Sequence, residues 1–428
     1  MTRAFGNARQ GRRMSEPRVD VAVVGAGPYG LSIAANFLAT EHSLRIFGRP
    51  MHTWTSAMPL GMMLKSDGFA SNLSGPGGGL TLSSYCRDRG IPYSDSVDPV
   101  SLATFVAYGQ EFQRHFVPRL ETVDIQHVQR DGDGFKLTTE EGEQVLARSV
   151  VLAVGVTHFR VVPKELSSLD PSLATHSADH HRLDRFAGRK VAVIGAGSSA
   201  ANLAAALIDA GAAATIVTRS RELGFDAAPV PGEKSLLAAL RHPSSPLGPG
   251  WRSRLASDLP QLYRHLPAGL RLTVLHRHLG PRSAWYLRDK VIGRADILTD
   301  SRLVRAAPAA DGVRLELVDT SGTSRSLDVD HVIAATGYWP QIARLRFLDE
   351  ALRRSVRHVA GVPVLSHNFE TSVPGLYAAG LAAAGSFGPL LRFVAGADFA
   401  ARTICRHLQA ARADGHAGLV ERPAPQVA

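Results

Sequence analysis

The stretch VDVAVVGAGPYGLSIAANFLA, residues 19–39, has the pattern of an apolar strand, a glycine turn and an apolar helix. Its turn, Gly25-Ala-Gly27-Pro28-Tyr-Gly30, has the G-x-G-x-x-G spacing. The first glycine permits a tight turn, the second lets a pyrophosphate approach the backbone, and the third lets helix and strand pack closely. Because glycine and proline interrupt the apolar run, the stretch predicts a dinucleotide-binding unit rather than a signal or membrane segment.

A second unit of the same design follows in mid-chain. The strand Lys190–Ile194 leads into Gly195-Ala-Gly197-Ser198-Ser199-Ala200, and an alanine-rich helix is expected over 201–210. The next strand, Ala214–Thr218, is followed by Arg219, where NAD-preferring sites carry an acid. Because arginine pairs with a 2′-phosphate through charge-assisted bonds, we expect this unit to bind NADPH through Arg219. The alternative is an ordinary solvated arginine.

The first unit lacks the acid that usually holds a ribose. The strand Leu44–Phe47 ends in Gly48-Arg49. We therefore expect the ribose to be held by backbone groups, by Arg49 or by water.

Two antiparallel meanders accompany the glycine units. Residues 123–148 alternate around a Gly-Asp-Gly turn, and residues 302–335 repeat that plan around Asp311-Gly312. The duplication predicts an α/β fold with two Rossmann-like dinucleotide-binding domains of the three-layer ββα type, the second inserted into the first. The expected organisation is a disordered extension 1–18, a first domain 19–165 resumed at 331–415 with a C-terminal helix, an inserted domain 166–330, and a disordered tail 416–428.

Composition excludes several kinds of site and partner. The chain has 428 residues, a formal net charge of +10 and only two cysteines, Cys86 and Cys405. The absence of Cys-x-x-Cys excludes a redox-active disulfide of that type and a four-thiolate metal site. The arginines are scattered without a nucleic-acid motif, so we expect no nucleic-acid partner. The histidines of residues 175–181 fit a polar linker better than a metal site, and we expect no metal.

Three motifs together resemble the class B flavin-dependent monooxygenases. They are GAGPYG at 25–30, GAGSSA at 195–200 and ATGYWP at 335–340, and the resemblance covers nearly the whole chain. The stretches 63–67, 80–85 and 375–381 are most similar to the N-hydroxylating lysine/ornithine branch. The linker motif of the superfamily is degraded, because Asp170 and Ser172 replace its phenylalanine and glycine while His176 remains. That departure disfavours a Baeyer–Villiger reaction.

The resemblance implies FAD on the first turn and NADPH on the second. It also implies a C4a-(hydro)peroxyflavin that passes one oxygen atom of O₂ to a small-molecule substrate, with N- or S-oxygenation favoured. The residues expected to contact FAD are Gly25, Gly27, Pro28, Gly30, Arg49, Trp54, Ile125, Thr336, Gly337, Gly380, Leu381, Phe387 and Gly388. Those expected to contact NADPH are Gly195, Gly197, Ser198, Ser199, Ala200 and Arg219.

Candidate catalytic residues lie between Trp54 and Asn72, a stretch expected beside the flavin ring. Lys65 or Asn72 could donate hydrogen bonds there, and Asp67 could hold Lys65 or move a proton. The alternative is a surface loop. The last long helix, expected over 389–410, would direct its N-terminus at the flavin pyrimidine.

Other functions stay open at this level. They are an FAD-dependent NAD(P)H reductase or oxidase without oxygen transfer, a Baeyer–Villiger oxygenation, and a non-catalytic dinucleotide sensor. We expect a cytoplasmic enzyme with no membrane partner, and a homo-oligomer remains open.

Overall fold

The computed structural model describes residues 18–229, 240–277, 280 and 282–420. Most of the expected N-terminal extension, residues 1–17, and residues 421–428 of the expected tail lie outside this part. The described strands are β1 (Val19–Val24), β2 (Leu44–Phe47), β3 (Ile125–Asp131), β4 (Gly134–Thr139), β5 (Gln144–Leu152), β6 (Ala174–His176), β7 (Lys190–Ile194), β8 (Ala213–Val217), β9 (Gly224–Phe225), β10 (Arg282–Ser283), β11 (Asp296–Leu298), β12 (Arg302–Ala309), β13 (Gly312–Val318), β14 (Ser324–Val329), β15 (His331–Ala334), β16 (His358–Val359), β17 (Val362–Pro363) and β18 (Leu376–Ala378).

The first domain is built on a six-stranded sheet. Its order is β2-β1-β5-β4-β3, and β18 pairs with β5. β2, β1, β5 and β18 are parallel, while β3, β4 and β5 form the antiparallel meander predicted from the sequence. Val21 to Val24 are buried between neighbours on both sides of β1, as a central parallel strand requires.

The second domain has a five-stranded parallel sheet in the order β11-β8-β7-β15-β6. An antiparallel sheet of β12, β13 and β14 adjoins it, so the second predicted meander is also present. β15 pairs with β7 and β6, although the sequence placed the return to the first domain at residue 331. All four β15 residues are buried in the second sheet, so the chain returns to the first domain only after this strand.

Helices cover these sheets, and the last one differs from its prediction. The described α-helices are Pro28–Asn36, His52–Ser56, Leu82–Asp88, Leu102–Phe116, Ser198–Asp209, Trp251–Asp258, Pro260–Tyr263, Ala268–Arg277, Arg288–Val291, Glu350–Ser355, Ala384–Phe387 and Gly396–Val420. The last helix begins at Gly396 rather than 389, because Pro389–Arg392 forms a 3₁₀ turn that ends at an extended Phe393. It also continues to Val420, past the expected start of the disordered tail at 416. No helix in the described ranges is long and apolar enough to cross a membrane.

Candidate functional site

In the first glycine turn, two of the three glycines leave no room for a side chain, whereas the third does. Gly25 has φ +109°, and a Cβ there would overlap the carbonyl oxygen of Ala153, just beyond the end of β5. A Cβ on Gly30 would overlap the carbonyl oxygen of Gly25. A Cβ on Gly27 would meet nothing within 4 Å. The turn therefore needs Gly25 and Gly30 for its own packing and leaves a space in front of Gly27.

The second turn repeats this geometry. A Cβ on Gly195 would overlap the carbonyl oxygen of Ala335, just beyond β15, whereas one on Gly197 would meet nothing within 4 Å. Ala200 takes the place of the third glycine and is fully buried. The helix Ser198–Asp209 begins directly after Gly197. Each turn thus presents an open backbone position at a helix N-terminus, the arrangement that fits a dinucleotide pyrophosphate.

Arg49 lies at the end of β2 but is held by two carboxylates. Its guanidinium is 3.1 Å from Asp124 Oδ2 and 3.1 Å from Glu140 Oε1. These acids lie just before β3 and just after β4, next to Ile125 at the start of β3. Acidic groups therefore do occur beside the end of β2, supplied by the meander instead of by the strand itself. They could not be predicted from the residues that follow β2 alone.

Arg219 stands one residue beyond Thr218, which follows β8. Thr218 is buried, and its Oγ1 accepts a hydrogen bond from the Ser220 N–H at 3.0 Å. The Arg219 side chain is exposed, and no carboxylate of the described ranges forms an ion pair with it. The loop therefore presents a guanidinium that a 2′-phosphate could bind.

A cavity of about 210 Å³ lies where the first-domain segment 54–71 meets the start of the helix Ser198–Asp209, directly after the second turn. The C-terminal segment 392–394 and the single residues Ser177 and Tyr338 complete its lining. Of the predicted residues it brings together Trp54, Lys65, Ser198 and Ser199. Its walls are mostly apolar, and Met62, Met63 and Leu64 contribute to them.

Lys65 bridges the domains at this cavity. Its Nζ donates to the Arg282 carbonyl oxygen at 2.7 Å and lies 3.0 Å from Asp226 Oδ2. Both partners belong to the inserted domain. The Lys65 ammonium is therefore fixed in position, and its charge is balanced by a partner that is distant in sequence.

Asp67 and Asn72 are not among the residues that line this cavity. The Asn72 Oδ1 accepts from the Leu82 N–H at 2.8 Å, and its Nδ2 donates to the Phe69 carbonyl at 2.9 Å. Its amide therefore joins two backbone segments at the start of the helix Leu82–Asp88. Asp67 precedes the 3₁₀ turn Gly68–Ala70. Of the three candidate catalytic residues, only Lys65 faces the cavity.

The predicted C-terminal contacts fall into two groups. Gly380 has φ +65° beside the Tyr29 ring, and Leu381 follows it in a buried turn, so both adjoin the first glycine turn. Phe387 is instead fully buried and stacks on Phe369 with ring centroids 4.1 Å apart. Its ring is therefore part of the core packing.

The remaining predicted positions lie around the second turn and β15. Gly388 has φ +86° and lies against the Tyr263 ring of the inserted domain. Thr336 donates its hydroxyl to the Val161 carbonyl, and nothing lies within 4 Å of a Cβ on Gly337. Gly337 is thus an open backbone position, whereas the Thr336 hydroxyl is already used.

The cavity lining also includes residues that the sequence did not predict, among them Ser177, Tyr338 and Arg392. Burial raises the pKa of Tyr338 and lowers that of Arg392, whose Nη1 donates to the Leu275 carbonyl at 3.4 Å. Tyr338 could have been found, because it lies within the ATGYWP motif at 335–340. Arg392 has no local signal, because arginine is abundant throughout the chain.

The histidine linker forms a hydrogen-bond chain. Thr175 Oγ1 lies 2.7 Å from His180 Nε2 and 2.7 Å from His331 Nε2. His331 Nδ1 contacts the Ser172 carbonyl at 2.9 Å, and His180 Nδ1 accepts from Arg185 at 3.3 Å. Burial lowers the pKa of His180 to about 4 and also lowers that of His331. Within the described ranges no group of histidine, cysteine and acidic side chains has the arrangement of a metal site.

Parts of this chain are similar in sequence to known proteins. Residues 22–230 match the family described as pyridine nucleotide-disulphide oxidoreductase. A ferredoxin–NADP reductase of Granulibacter bethesdensis is 30% identical over 221 residues, which are 50% of this chain and 55% of the relative. The chain thus spans about half the length of this curated relative.

Solved structures match over a larger share of the chain. A flavin-containing monooxygenase from Stenotrophomonas maltophilia has a TM-score of 0.63 at 21% identity, covering 93% of this chain and 100% of that one. An ornithine N-hydroxylase of Kutzneria sp. 744 has a TM-score of 0.71 at 18% identity, covering 92% and 100%. These likenesses confirm the predicted fold with two dinucleotide-binding domains, and the resemblance to class B monooxygenases holds at the level of the fold.

The family match agrees with the predicted oxidoreductase class and with FAD and NADPH as cofactors. The disulphide in its description has no counterpart of the Cys-x-x-Cys type here, because the chain has only two cysteines, far apart in sequence. Cys86 and Cys405 are both free and buried, and burial raises the pKa of each thiol. A thiol with a raised pKa is a poor nucleophile, so neither cysteine is suited to disulfide exchange.

Proposed function

We propose that the protein is an NADPH-dependent FAD monooxygenase that inserts one oxygen atom of O₂ into a small-molecule substrate. The observation that carries this proposal is the cavity beside the second glycine turn, which has mostly apolar walls and one fixed ammonium, Lys65. Bound FAD would supply the redox chemistry there. A largely apolar site suits oxygen transfer because it limits the water around the reacting atoms.

Each part of the chain then has a defined task. Gly27 and Gly197 admit the pyrophosphates of FAD and NADPH, and Arg219 binds the 2′-phosphate. Trp54 and Met62 exclude water from the cavity, and Lys65 offers a positioned N–H donor. Asp226 positions Lys65 through the contact at 3.0 Å.

We favour oxygenation at nitrogen or sulfur. The degraded linker motif points away from a Baeyer–Villiger reaction, and one structural neighbour is an ornithine N-hydroxylase. We also place the enzyme in the cytoplasm, where NADPH is supplied and the two free cysteines stay reduced.

A reductase that transfers no oxygen is the second candidate. It is favoured by the curated relative, a ferredoxin–NADP reductase. It needs the same two cofactors, so the fold and the glycine turns suit both reactions. The two candidates differ only in the fate of the electrons after the flavin is reduced.

Oxygen transfer separates the two candidates directly. The purified protein, reconstituted with FAD, is supplied with NADPH and ¹⁸O₂ and a panel of amines, amino acids and thioethers. We expect one substrate to gain a single ¹⁸O atom in proportion to NADPH consumed. NADPH oxidation that yields only peroxide, or only reduced ferredoxin when oxidised ferredoxin is added, would replace the monooxygenase by the reductase. A protein that takes up no FAD contradicts both.

A further inference from the structure

Exposed large apolar side chains are concentrated in the segment 240–277. It contains seven of the thirteen large apolar side chains that the described residues expose. They are Leu240, Trp251, Leu255, Leu259, Leu262, Leu266 and Leu270, and each is between 37% and 66% exposed. We call this set the leucine face. A concentration of this kind marks an interaction site rather than scattered surface residues.

The helix Trp251–Asp258 exposes its large apolar side chains and buries its serines, the reverse of an ordinary surface helix. Trp251 and Leu255 are 54% and 53% exposed, whereas Ser253 and Ser257 are 8% and 9% exposed. The amphipathic helix of a soluble domain buries its apolar stripe and exposes its polar residues. Here the apolar stripe faces outward.

Specific contacts hold the segment in this orientation. The Trp251 indole N–H donates to the Leu240 carbonyl at 2.9 Å, and Gln261 Nε2 donates to the His367 carbonyl at 3.0 Å. Tyr263 packs against Gly388, and Leu275 is buried in the core of the first domain. The leucine face is therefore anchored on the first domain and presented outward.

Positive charge surrounds the leucine face. Residues 240–277 contain six arginines and one acidic residue, Asp258, which pairs with Arg254. The arginines are Arg241, Arg252, Arg254, Arg264, Arg271 and Arg277. A second copy of this chain would bring two such cationic segments together, so charge repulsion opposes a dimer through this face.

The residue types indicate the partner. Energetic centres of protein interfaces draw on tryptophan, tyrosine and arginine and under-represent leucine. Helices that lie in a membrane surface combine leucine and tryptophan on one face with arginine around it, and anionic lipids add electrostatic attraction. We propose that the leucine face docks on an anionic lipid bilayer as a peripheral contact, a departure from the expectation of no membrane partner.

Docking there would bring the cavity close to the bilayer. Arg392, which lines the cavity, donates to the carbonyl of Leu275 in the anchored segment. If the proposed monooxygenase function holds, its substrate class includes apolar or amphiphilic molecules drawn from the bilayer. This extension rests on the proposed function, whereas the docking itself does not.

Vesicle sedimentation of the full chain loaded with FAD tests the docking without any turnover. We expect binding to phosphatidylcholine vesicles that contain about one third phosphatidylglycerol, and binding that weakens as salt rises. The triple variant Trp251→Ser/Leu255→Ser/Leu259→Ser should lose at least about tenfold in vesicle affinity. The matched control Leu38→Ser/Val359→Ser removes exposed apolar side chains elsewhere and should bind like the wild type. Unchanged FAD content and melting temperature show that each variant is folded.

Three results would overturn the proposal. They are the absence of binding to anionic vesicles, triple-variant binding equal to that of the wild type, and a concentration-dependent dimer that only the triple variant loses. Because sedimentation needs no substrate, failure of oxygen transfer leaves the docking result unaffected, and failure of docking leaves the oxygen-transfer result unaffected.

Discussion

The proposed role of the Arg219 side chain is to make the enzyme prefer NADPH over NADH. It is exposed, and within the described ranges no carboxylate forms an ion pair with it. Removing a charge-assisted hydrogen bond costs about 1.5–3 kcal/mol, so Arg219→Ala should raise the KM for NADPH roughly 10- to 100-fold and leave that for NADH unchanged. Steady-state NADPH and NADH oxidation measures both constants.

The matched control for this variant is Arg325→Ala, which removes an exposed arginine from β14. It should change neither constant. Equal use of NADH and NADPH by the wild type would contradict the assignment of Arg219 to the 2′-phosphate.

The chain of hydrogen bonds through His331, Thr175 and His180 ends at the Ser172 carbonyl and at Arg185. These two end groups determine the direction of each hydrogen bond. The Ser172 carbonyl can only accept, so His331 Nδ1 carries a proton and its Nε2 accepts from Thr175. Arg185 can only donate, so His180 Nδ1 accepts and its Nε2–H donates to Thr175. Both imidazoles are therefore neutral, and protonating either one leaves a buried donor without an acceptor.

Acid should therefore destabilise the second domain. The folded pKa of His180, about 4, lies below its unfolded value near 6.5. The stabilisation is therefore complete above about pH 6.5 and is lost as the pH falls toward 4. We expect His180 to account for about 1 kcal/mol of lost unfolding free energy between pH 7.5 and 5.5. Denaturant unfolding at the two pH values measures this loss.

His180→Gln keeps an N–H donor toward Thr175 and cannot titrate, so the difference between the two pH values should shrink. The control His115→Gln alters an exposed histidine on the helix Leu102–Phe116 and should keep the wild-type difference. An unchanged difference in His180→Gln would show that other groups cause the acid sensitivity.

At the scale of elements, we expect different glycines of the first turn to serve folding and cofactor binding. Gly27→Ala places a methyl group where the chain has no atom within 4 Å, so the apoprotein should melt as the wild type does. FAD affinity should fall at least about tenfold, because the methyl group occupies the space of the pyrophosphate. Gly30→Ala should instead lower the melting temperature, because its Cβ overlaps the Gly25 carbonyl. Scanning calorimetry and FAD titration measure the two effects.

Gly197→Ala is the matched change in the second turn. It should retain FAD and raise the KM for NADPH. If Gly27→Ala binds FAD normally, the open position is not the pyrophosphate site.

Local signals explain which elements could be predicted from the sequence. β2 and β7 match their predicted limits to the residue, because an apolar run that ends in a glycine turn is contained within a few positions. The pairing of β15 depends on β7, about 140 residues away, so the boundary at 331 could not be read locally. The leucine face inverts the usual burial pattern, and sequence periodicity alone cannot show that inversion.

The candidate site, like the fold, was predictable from the sequence only where the signal is local. The glycines are necessary wherever the backbone turns tightly, and the structure leaves space at Gly27 and Gly197. The partners of Lys65 and Arg49 are tertiary contacts, and no spacing rule connects Lys65 to Asp226. The assignment of Phe387 to the FAD site stays a prediction, and its stack with Phe369 is a tertiary contact that the sequence does not show.

At the scale of the whole molecule, the segment 58–65 ties the first domain to the second. The Leu60 N–H donates to the His181 carbonyl at 2.8 Å, and the Tyr286 hydroxyl donates to the Met63 carbonyl at 2.8 Å. Lys65 completes the connection through Asp226 and Arg282. This segment also lines the cavity, so the relative position of the domains determines the shape of the site.

Asp226→Asn should therefore affect chemistry more than stability. The pair is partly exposed, with Lys65 and Asp226 side chains 33% and 38% accessible, and such pairs contribute about 0–1 kcal/mol. The melting temperature should stay near that of the wild type. Release of Lys65 should loosen the cavity and admit water, so a larger share of NADPH oxidation should end as hydrogen peroxide. Peroxide and NADPH are measured in the same reaction.

The control is Asp328→Asn, which removes the carboxylate from a pair with Arg314 within the β13–β14 meander. That pair lies inside one domain, so its loss should leave the peroxide share unchanged. An Asp226→Asn enzyme with wild-type coupling would mean that the hydrogen bond from Lys65 to the Arg282 carbonyl holds the ammonium by itself. A drop in melting temperature as large as that of Gly30→Ala would instead make the contact a folding determinant.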